Sequence, residues 1–287
     1  MLLPDFFQWG TRTYVMGVIN ATPDSFSGDG LDLDDDPVHA AVELGRQFVA
    51  DGAHLLDVGG ESTRPGAAPV AAELVLRRVT PVIRSLAAAV DVPISVDTSK
   101  ASVAEAALAA GASIVNDVWG LKRNGALADV VSAHGAALIL MHNRSRIAEA
   151  SRDRRLGGRY VESEYDELLA DVCSELEESI ALALDAGIAD KKIILDPGIG
   201  FGKTVKQNRL LLNELGHFKE LGYPLLIGPS RKSFIGYTLD LPPEDRMEGT
   251  AAAVAIGIAR GADMVRVHDV RAMARVARMT DALVRAA

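Results

Sequence analysis

The sequence contains a single cysteine, Cys173, among its 287 residues. One cysteine excludes an intramolecular disulfide, so the chain suits a reducing compartment and we expect a cytoplasmic protein. No apolar stretch reaches the roughly 18 residues that a membrane span needs, so no membrane partner is expected. The N-terminal segment has no basic region followed by a cleavable apolar core, which predicts that the protein is not secreted.

An excess of basic residues is also absent. The net charge is −9 and the isoelectric point is near 5.2, whereas nucleic-acid-binding proteins usually carry a basic face. We therefore expect no nucleic-acid partner, and an anion can bind only in a local basic pocket. The sequence has no H-E-x-x-H or C-x-x-C motif, so zinc held by protein ligands is not expected.

What the sequence does contain is a regular alternation of short apolar runs with stretches rich in Ala, Leu and Glu. The apolar runs predict strands at 14–19, 54–58, 94–96, 113–115, 137–141, 192–195, 224–227 and 264–267. The intervening stretches predict helices at 36–51, 71–88, 102–110, 124–134, 163–186, 205–215, 246–260 and 271–285. Several glycines stand just past a helix end and before the next strand, where a left-handed residue closes a helix.

Eight strand–helix units favour an α/β chain folded as a (β/α)8 TIM barrel over an open Rossmann sheet. Parallel strands joined by helices need right-handed crossovers. We expect a single domain over residues 1–287, since barrels of this length are commonly one domain.

Two stretches fall outside this pattern. The segment PGIGFGKT at 197–204 nearly matches a phosphate-binding loop, but Pro197 replaces the first glycine, and Lys203 breaks the dinucleotide-binding pattern. Both nucleotide interpretations are therefore weak. The charged stretch 143–160 is the longest irregular one, and its composition favours a solvated loop over a binding lid.

Polar residues stand where the predicted strands end. Five strands end on a carboxylate or an amide, at Asn20, Asp57, Asp97, Asn116 and Asp196. A strand buried on both faces reads as an apolar run, so packing does not call for an acid there. Ligands of parallel α/β proteins bind at these strand ends, which predicts a site. The alternative is that Asp97 and Asp196 only cap helices or hold turns.

Cations follow the second, seventh and eighth predicted strands, at Arg64, Arg231, Lys232, Arg266 and His268, on the same face as these acids. The loops after the seventh and eighth strands of a barrel commonly bind phosphate. The acids suit a flat nitrogen-rich ring, because an N–H beside an amino group offers two parallel donors to a carboxylate. These residues together predict a site for a heterocycle that carries an anionic group.

Seven segments, in order and over nearly the whole chain, resemble the dihydropteroate synthase family. They are MGVINATPDSFSGDG (16–30), DVGGESTRPGA (57–67), SVDTSK (95–100), NDV (116–118), LDPGIGFGKT (195–204), GPSRKSFIG (228–236) and RVHDV (266–270). The resemblance implies a TIM barrel that joins 6-hydroxymethyl-7,8-dihydropterin diphosphate to p-aminobenzoate. The products are 7,8-dihydropteroate and pyrophosphate. It also implies a Mg2+ cofactor, a homodimer, and sulfonamides as mimics of p-aminobenzoate.

The resemblance also implies a role for individual residues. The pterin set is Asp97, Asn116, Asp196 and Lys232. The diphosphate set is Asn20, acting through Mg2+, with Thr63, Arg266 and His268. The p-aminobenzoate set is Phe26, Thr63, Arg64, Pro65, Phe201, Lys232 and Ser233, with Ser233 where the carboxylate meets a helix N-terminus. Arg64, Asp97 and Lys232 are the catalytic residues that we expect, and Asn20 is the expected metal ligand.

Two other functions stay open on the sequence. A methyltransferase module of the methyltetrahydrofolate type shares the barrel and the pterin acids, but it needs neither STRPGA nor SRKSF. No D-x-H-x-x-G signature of a cobalamin partner occurs. A non-catalytic pterin-binding paralogue would show damage in the Arg64 loop or at Ser230 to Lys232, and both segments are intact. Pyrophosphate release with both substrates separates the three.

Overall fold

The chain forms a barrel of eight parallel strands surrounded by helices. The computed structural model describes residues 6–22, 36–62, 65–146 and 150–285. The barrel strands are β1 (Tyr14–Asn20), β2 (Leu55–Gly59), β3 (Ile94–Asp97), β4 (Ile114–Asp117), β5 (Ala137–Met141), β8 (Ile193–Asp196), β9 (Leu226–Ile227) and β10 (Met264–Val267). A separate hairpin consists of β6 (Ala150–Asp153) and β7 (Gly157–Tyr160).

The described helices lie between and after the strands. They are α1 (Pro37–Ala50), α2 (Ala72–Ala89), α3 (Ala101–Ala109), α4 (Ala126–Ala133), α5 (Leu168–Asp185), α6 (Val205–Asn213), α7 (Ser233–Leu239), α8 (Met247–Ala259) and α9 (Val270–Val284). Local sequence explains several starts: the Asp36 carboxylate accepts the N–H groups of Val38 and His39, and Thr204 forms a capping box with Gln207. No helix in the described part of the chain is long and apolar enough to cross a membrane.

The strands pair in the order β8-β5-β4-β3-β2-β1-β10-β9, and every pair is parallel. A parallel bridge between Leu195 and Leu225 joins β8 to β9. The Leu195 N–H donates to the Pro224 carbonyl over 2.9 Å at the same junction. The sheet therefore closes on itself, and the predicted (β/α)8 barrel is confirmed.

The inside of the barrel is filled in layers. The lower layer is apolar and contains Met16, Leu55, Ile114, Ile139, Ile194, Leu226 and Met264. Below it, the rings of Phe7 and Tyr14 meet edge to face with centroids 4.9 Å apart, and they close the lower end. Successive side chains on a strand alternate between faces, so a residue two positions further along points inward again. The layer reached in this way is polar and contains Asp57, Asn116, Asp196 and Arg266.

Helix α7 was not predicted from the sequence, because its seven residues SFIGYTL show no helical period. A Cβ atom at Gly236, in the middle of this helix, would collide with the guanidinium of Arg246. The Arg246 side chain is buried and donates to the carbonyls of Arg231 and Leu241. Glycine at 236 therefore allows a buried arginine to hold the loop segments around α7.

The prediction of a solvated loop at 143–160 is wrong for its second half, which forms the β6–β7 hairpin. The strands pair antiparallel, with Ala150 opposite Tyr160. The Asp153 carboxylate closes the turn by accepting the N–H groups of Arg155, over 2.8 Å, and Leu156, over 2.7 Å. Charged side chains that suggested a solvated loop instead form hydrogen bonds, Asp153 within the turn and Arg155 to Asp240 of the barrel.

Candidate active site

The mouth of the barrel is organised around Arg266 on β10. Its Nε donates to Asp57 Oδ2 over 2.6 Å, and its Nη2 donates to Asp97 Oδ2 over 2.8 Å. Asp57 Oδ2 also accepts a 3.2 Å hydrogen bond from Asn116 Nδ2. Four strands thus contribute to one buried network, in which a guanidinium lies between two carboxylates. The guanidinium pairs with both carboxylates, which offsets part of the cost of removing these charges from water.

Asp57 belongs to this network, although no role was predicted for it from the sequence. Its side chain is fully buried, and it fixes both Arg266 and Asn116. The signal that could have found it is the alternation along β2, which places Asp57 two residues after the inward-facing Leu55. Asp57 therefore supports the predicted pterin and diphosphate residues from below.

The acids at the ends of β3 and β8, Asp97 and Asp196, both have raised pKa values. Burial raises the pKa of Asp97 to about 7, although the nearby Arg266 guanidinium acts in the opposite direction. Burial also raises the pKa of Asp196 to about 6, while its Oδ1 accepts the Gly198 N–H over 2.7 Å. Raised pKa values mean that both carboxylates lack full compensation by the protein itself, as expected of groups that await hydrogen-bond donors from a ligand.

Lys232 reaches the same mouth from the residue before α7. Its Nζ lies 4.0 Å from the centroid of the Phe201 ring. Burial lowers the pKa of Lys232 to about 8; Arg266 lowers it further, and Asp196 and Asp97 raise it. Gly200 has φ +86°, and a Cβ atom there would lie 2.9 Å from Lys232 Cδ. The glycine-rich loop thus provides a surface for the lysine stem.

The loop that resembles a phosphate-binding motif folds around its own lysine. Lys203 is buried, and its Nζ donates to the carbonyls of Gly198, over 3.0 Å, and Phe201, over 3.1 Å. The same Nζ lies 3.0 Å from His142 Nδ1. Lys203 therefore shapes the loop instead of facing a nucleotide, in agreement with the weak sequence match.

A partly buried network continues from Lys203 to helix α5. His142 Nε2 lies 3.3 Å from Glu175 Oε2, and Arg144 Nε donates to Glu175 Oε1 over 2.5 Å. Burial lowers the pKa of His142 to about 4, so the imidazole is neutral and can accept from Lys203. His142 and Arg144 lower the pKa of Glu175 to about 2. Sequence reasoning missed this network because its members lie far apart in the chain.

The predicted anion residues divide into two arrangements. His268 Nδ1 lies 3.0 Å from Ser230 Oγ, which also accepts the His268 N–H over 3.2 Å. Arg231 instead makes a bidentate pair with Asp269, with distances of 3.0 and 2.6 Å. The bond to Ser230 fixes the orientation of the imidazole of His268, whereas Arg231 is engaged with an acid that follows β10.

The remaining predicted residues are partly covered by the structure. Asn20 lies beside Gly59 in register, and Gly59 lies beside Asp97, so Asn20 ends its strand at the level of the acids. Ser233 begins α7. Phe26, Thr63 and Arg64 lie outside the described residues, and Pro65 is described.

An aromatic platform borders the acids. The rings of Phe201 and Tyr160 stack with centroids 5.5 Å apart and an interplanar angle of 30°. Val118 and Met141 complete a small buried cluster with them. A flat ring that enters above the acids would meet this apolar edge.

The described residues do not form a metal site by themselves. Within residues 6–22, 36–62, 65–146 and 150–285, no group of three or more His, Cys, Asp or Glu side chains is arranged to hold a metal ion. A divalent cation at this mouth would need most of its oxygen ligands from a substrate, which is how Mg2+ commonly binds with phosphates.

Known proteins are similar to this chain in both sequence and fold. Residues 16–268 match the family model described as pterin binding enzyme. The dihydropteroate synthase of Bacillus subtilis (strain 168) is 48% identical over 282 residues, which cover 98% of this chain and 92% of that protein. The dihydropteroate synthase of Clostridium difficile, solved in the presence of pteroic acid, has a TM-score of 0.88 at 44% identity. That alignment covers 97% of this chain and 99% of the other.

A second solved structure is the Xanthomonas albilineans dihydropteroate synthase with 4-aminobenzoic acid. Its TM-score is 0.85 at 42% identity, and the match covers 95% of this chain and 93% of that one. The chain therefore belongs to the family of pterin-binding enzymes. Its relatives at this identity are dihydropteroate synthases, so the predicted dihydropteroate synthase activity, a transferase activity, is confirmed.

Proposed function

We propose that the dihydropteroate synthase reaction takes place at the mouth of the barrel, on the network around Arg266. The observation that carries this assignment is the guanidinium held between Asp57 and Asp97, with Asp196 and Lys232 buried at the same mouth. Such a cluster combines acceptors for a nitrogen-rich ring with cations for an anion.

The atoms that contact the pterin are those that do not already form hydrogen bonds within the protein. Asn116 uses its Nδ2 on Asp57, so its Oδ1 is the atom that accepts an N–H from the ring. Asp97 and Asp196 accept the remaining N–H and amino donors. Lys232 faces the ring carbonyl. Each of these contacts also gives a hydrogen-bond partner to a polar group whose burial is otherwise costly.

The diphosphate leaves from a methylene group attached to the electron-rich pterin. Arg266 and His268 stabilise the negative charge on the departing oxygens, together with the predicted Thr63. Asn20 would hold Mg2+ jointly with the diphosphate, and the ion supplies Lewis-acid stabilisation of the leaving group. The pterin shares the positive charge that develops, which favours an SN1-like path.

The second substrate, p-aminobenzoate, packs on Phe201 beside Lys232, with Pro65 and Ser233 at the edge. The family resemblance adds Phe26, Thr63 and Arg64, which lie outside the described residues. Its aromatic amine is unprotonated at neutral pH, so no strong general base is required. Sulfonamides share this shape and are expected to compete for the same place.

We also propose that the protein is a homodimer and that it is cytoplasmic. Large apolar side chains are exposed on α8 and α9, namely Met247, Ile256, Met279, Leu283 and Val284. Exposed apolar surface of this kind fits a homodimer interface. The lone cysteine is consistent with a cytoplasmic enzyme.

The assignment is tested by Asp196→Ala. Calorimetry should show loss of pterin diphosphate binding, and unchanged affinity would overturn the pterin assignment. The exposed Asp91→Ala is the matched control and should bind as the wild type does. Pyrophosphate release that requires both substrates excludes a non-catalytic paralogue and a methyltransferase module.

A further inference from the structure

The β6–β7 hairpin is anchored to the far side of the barrel mouth. The guanidinium of Arg155 bonds the backbone carbonyl and the carboxylate of Asp240, which follows α7. Arg246, which is itself buried, donates to the Leu156 carbonyl over 2.7 Å. The hairpin therefore extends from the loop after β5 to the segment that follows β9, across the edge where Phe201 lies.

The last residue of the hairpin faces the site. Tyr160 is 6% exposed, and its ring stacks on Phe201. Its hydroxyl is hydrogen-bonded to the Ser145 side chain, and burial raises the pKa of Tyr160 to about 12. The Asp97 carboxylate contributes to the same rise, which indicates that the phenol lies near the acids. Tyr160 is thus a neutral aromatic side chain at the boundary of the site.

The hairpin also contacts the loop that follows β2. A Cβ atom built at Gly158 would lie 3.4 Å from the Pro65 carbonyl oxygen and 3.5 Å from Pro65 Cβ. Backbone and proline are thus in van der Waals range. The hairpin touches two elements that the proposed function places around p-aminobenzoate, namely Phe201 and Pro65.

We propose that the β6–β7 hairpin forms a wall of the acceptor subsite and that Tyr160 contacts the ring of the incoming arylamine, which makes it a specificity-determining residue. This inference rests on the proposed placement of p-aminobenzoate at Phe201. An aromatic side chain fixed at that edge adds ring contacts for the arylamine and none for the diphosphate, which binds on the side of His268.

The experiment compares Tyr160→Ala with Tyr160→Phe in steady-state assays that vary each substrate separately. Tyr160→Ala should raise KM for p-aminobenzoate about three- to tenfold, the effect of losing one aromatic contact, and leave KM for the pterin diphosphate within twofold. Tyr160→Phe should keep the wild-type KM for p-aminobenzoate, because the ring and not the hydroxyl makes the contact. Tyr223→Ala removes a tyrosine just before β9, at the opposite end of the barrel, and should change neither constant.

Other outcomes overturn the proposal. An unchanged KM for p-aminobenzoate would show that the arylamine does not contact the hairpin, and a lower KM would show that Tyr160 competes with it for Phe201. A thermal melt checks the fold of each variant. If Tyr160→Ala unfolds, Tyr160→Leu retains apolar volume without a ring and should show the same selective rise. Absence of pyrophosphate release by the wild type would refute the proposed function itself, so the two failures are distinguishable.

Discussion

Lys203 Nζ lies 3.0 Å from His142 Nδ1, beneath the loop that carries Phe201. The same ammonium donates to two carbonyls of that loop, so a single buried cation joins the end of β5 to the edge of the proposed acceptor subsite. Burial lowers the pKa of Lys203 to about 7. The fold thus keeps a costly buried amine where it shapes the glycine-rich turn.

Replacing Lys203 by Met should destabilise the protein, since the Phe201 carbonyl and His142 Nδ1 lose their donor, while the Gly198 carbonyl keeps only the Phe201 N–H. Leaving buried polar groups unsatisfied costs about 1–3 kcal/mol each, so we expect a loss of at least that size in urea denaturation. The exposed Lys206→Met, on the adjacent helix α6, should stay near the wild-type stability. Equal stability of the two variants would argue against the role of Lys203.

Replacing Asp57 by Asn should weaken binding of the pterin diphosphate without any direct contact to it. The variant keeps the volume but loses the charge that pairs with Arg266 Nε. A charge-assisted hydrogen bond contributes about 1.5–3 kcal/mol, which corresponds to roughly ten- to hundredfold in affinity. Calorimetry measures this loss, and the exposed Asp91→Asn serves as control. Wild-type affinity in Asp57→Asn would show that Arg266 is held in place without it.

The polar layer of the barrel was predictable in part because strand ends and alternation are local properties. Asp97, Asn116 and Asp196 interrupt apolar runs, and the structure brings them to one mouth. The pairing of Arg266 with Asp57 was not predictable, because the two residues lie 209 positions apart and only closure of the barrel brings them together.

The 150–160 hairpin escaped prediction for a related reason. Its sequence is charged and has no alternating apolar pattern, so composition favours a solvated loop. The partners that order it, Asp240 and Arg246, belong to a distant segment. Helix α7 likewise has only seven residues, and the buried Arg246 packs against its Gly236. Long-range ion pairs and buried cations leave no periodic signal in the sequence.

The pH dependence of kcat/KM for the pterin diphosphate should show an acidic limb near pH 7. Protonated Asp97 cannot accept all the donors of the ring, and burial sets its pKa at about 7. Arg266 lowers this pKa and Asp57 raises it. Arg266→Met should therefore move the limb to higher pH, and Asp57→Asn should move it to lower pH.

The substrate diphosphate also titrates, so the control is calorimetry over the same pH range with a pterin that lacks phosphate. Its binding should show the same limb and the same opposite shifts in Arg266→Met and Asp57→Asn. Shifts in one direction for both variants would show that Asp97 is not the group that titrates.

A charge placed on the exposed apolar surface of α9 should dissociate the proposed homodimer. Leu283 is 69% exposed, so Leu283→Lys leaves the core unchanged while it opposes burial in an interface. Light scattering after size exclusion should show a dimer for the wild type and a monomer for the variant. Leu74→Lys, an exposed leucine on α2, is the matched control and should remain dimeric. A monomeric wild type would refute the homodimer.

A comparison of Gly198→Ala with Gly222→Ala separates backbone strain from steric collision. Gly198 lies in the glycine-rich loop, and Gly222 lies outside it. Both glycines have positive φ, +73° and +85°, which costs alanine about 1–2 kcal/mol. A Cβ atom at 198 would also collide with the His142 carbonyl oxygen, whereas nothing lies within 4 Å at 222. The loop must therefore shift in Gly198→Ala, and the Asp196 carboxylate loses the geometry of its bond to the Gly198 N–H.

We expect Gly198→Ala to lose clearly more stability in urea than Gly222→Ala, together with most of its pterin affinity. Gly222→Ala should lose only the strain energy and keep its kcat/KM, so similar behaviour of the two variants would contradict the proposed packing of the loop on β5.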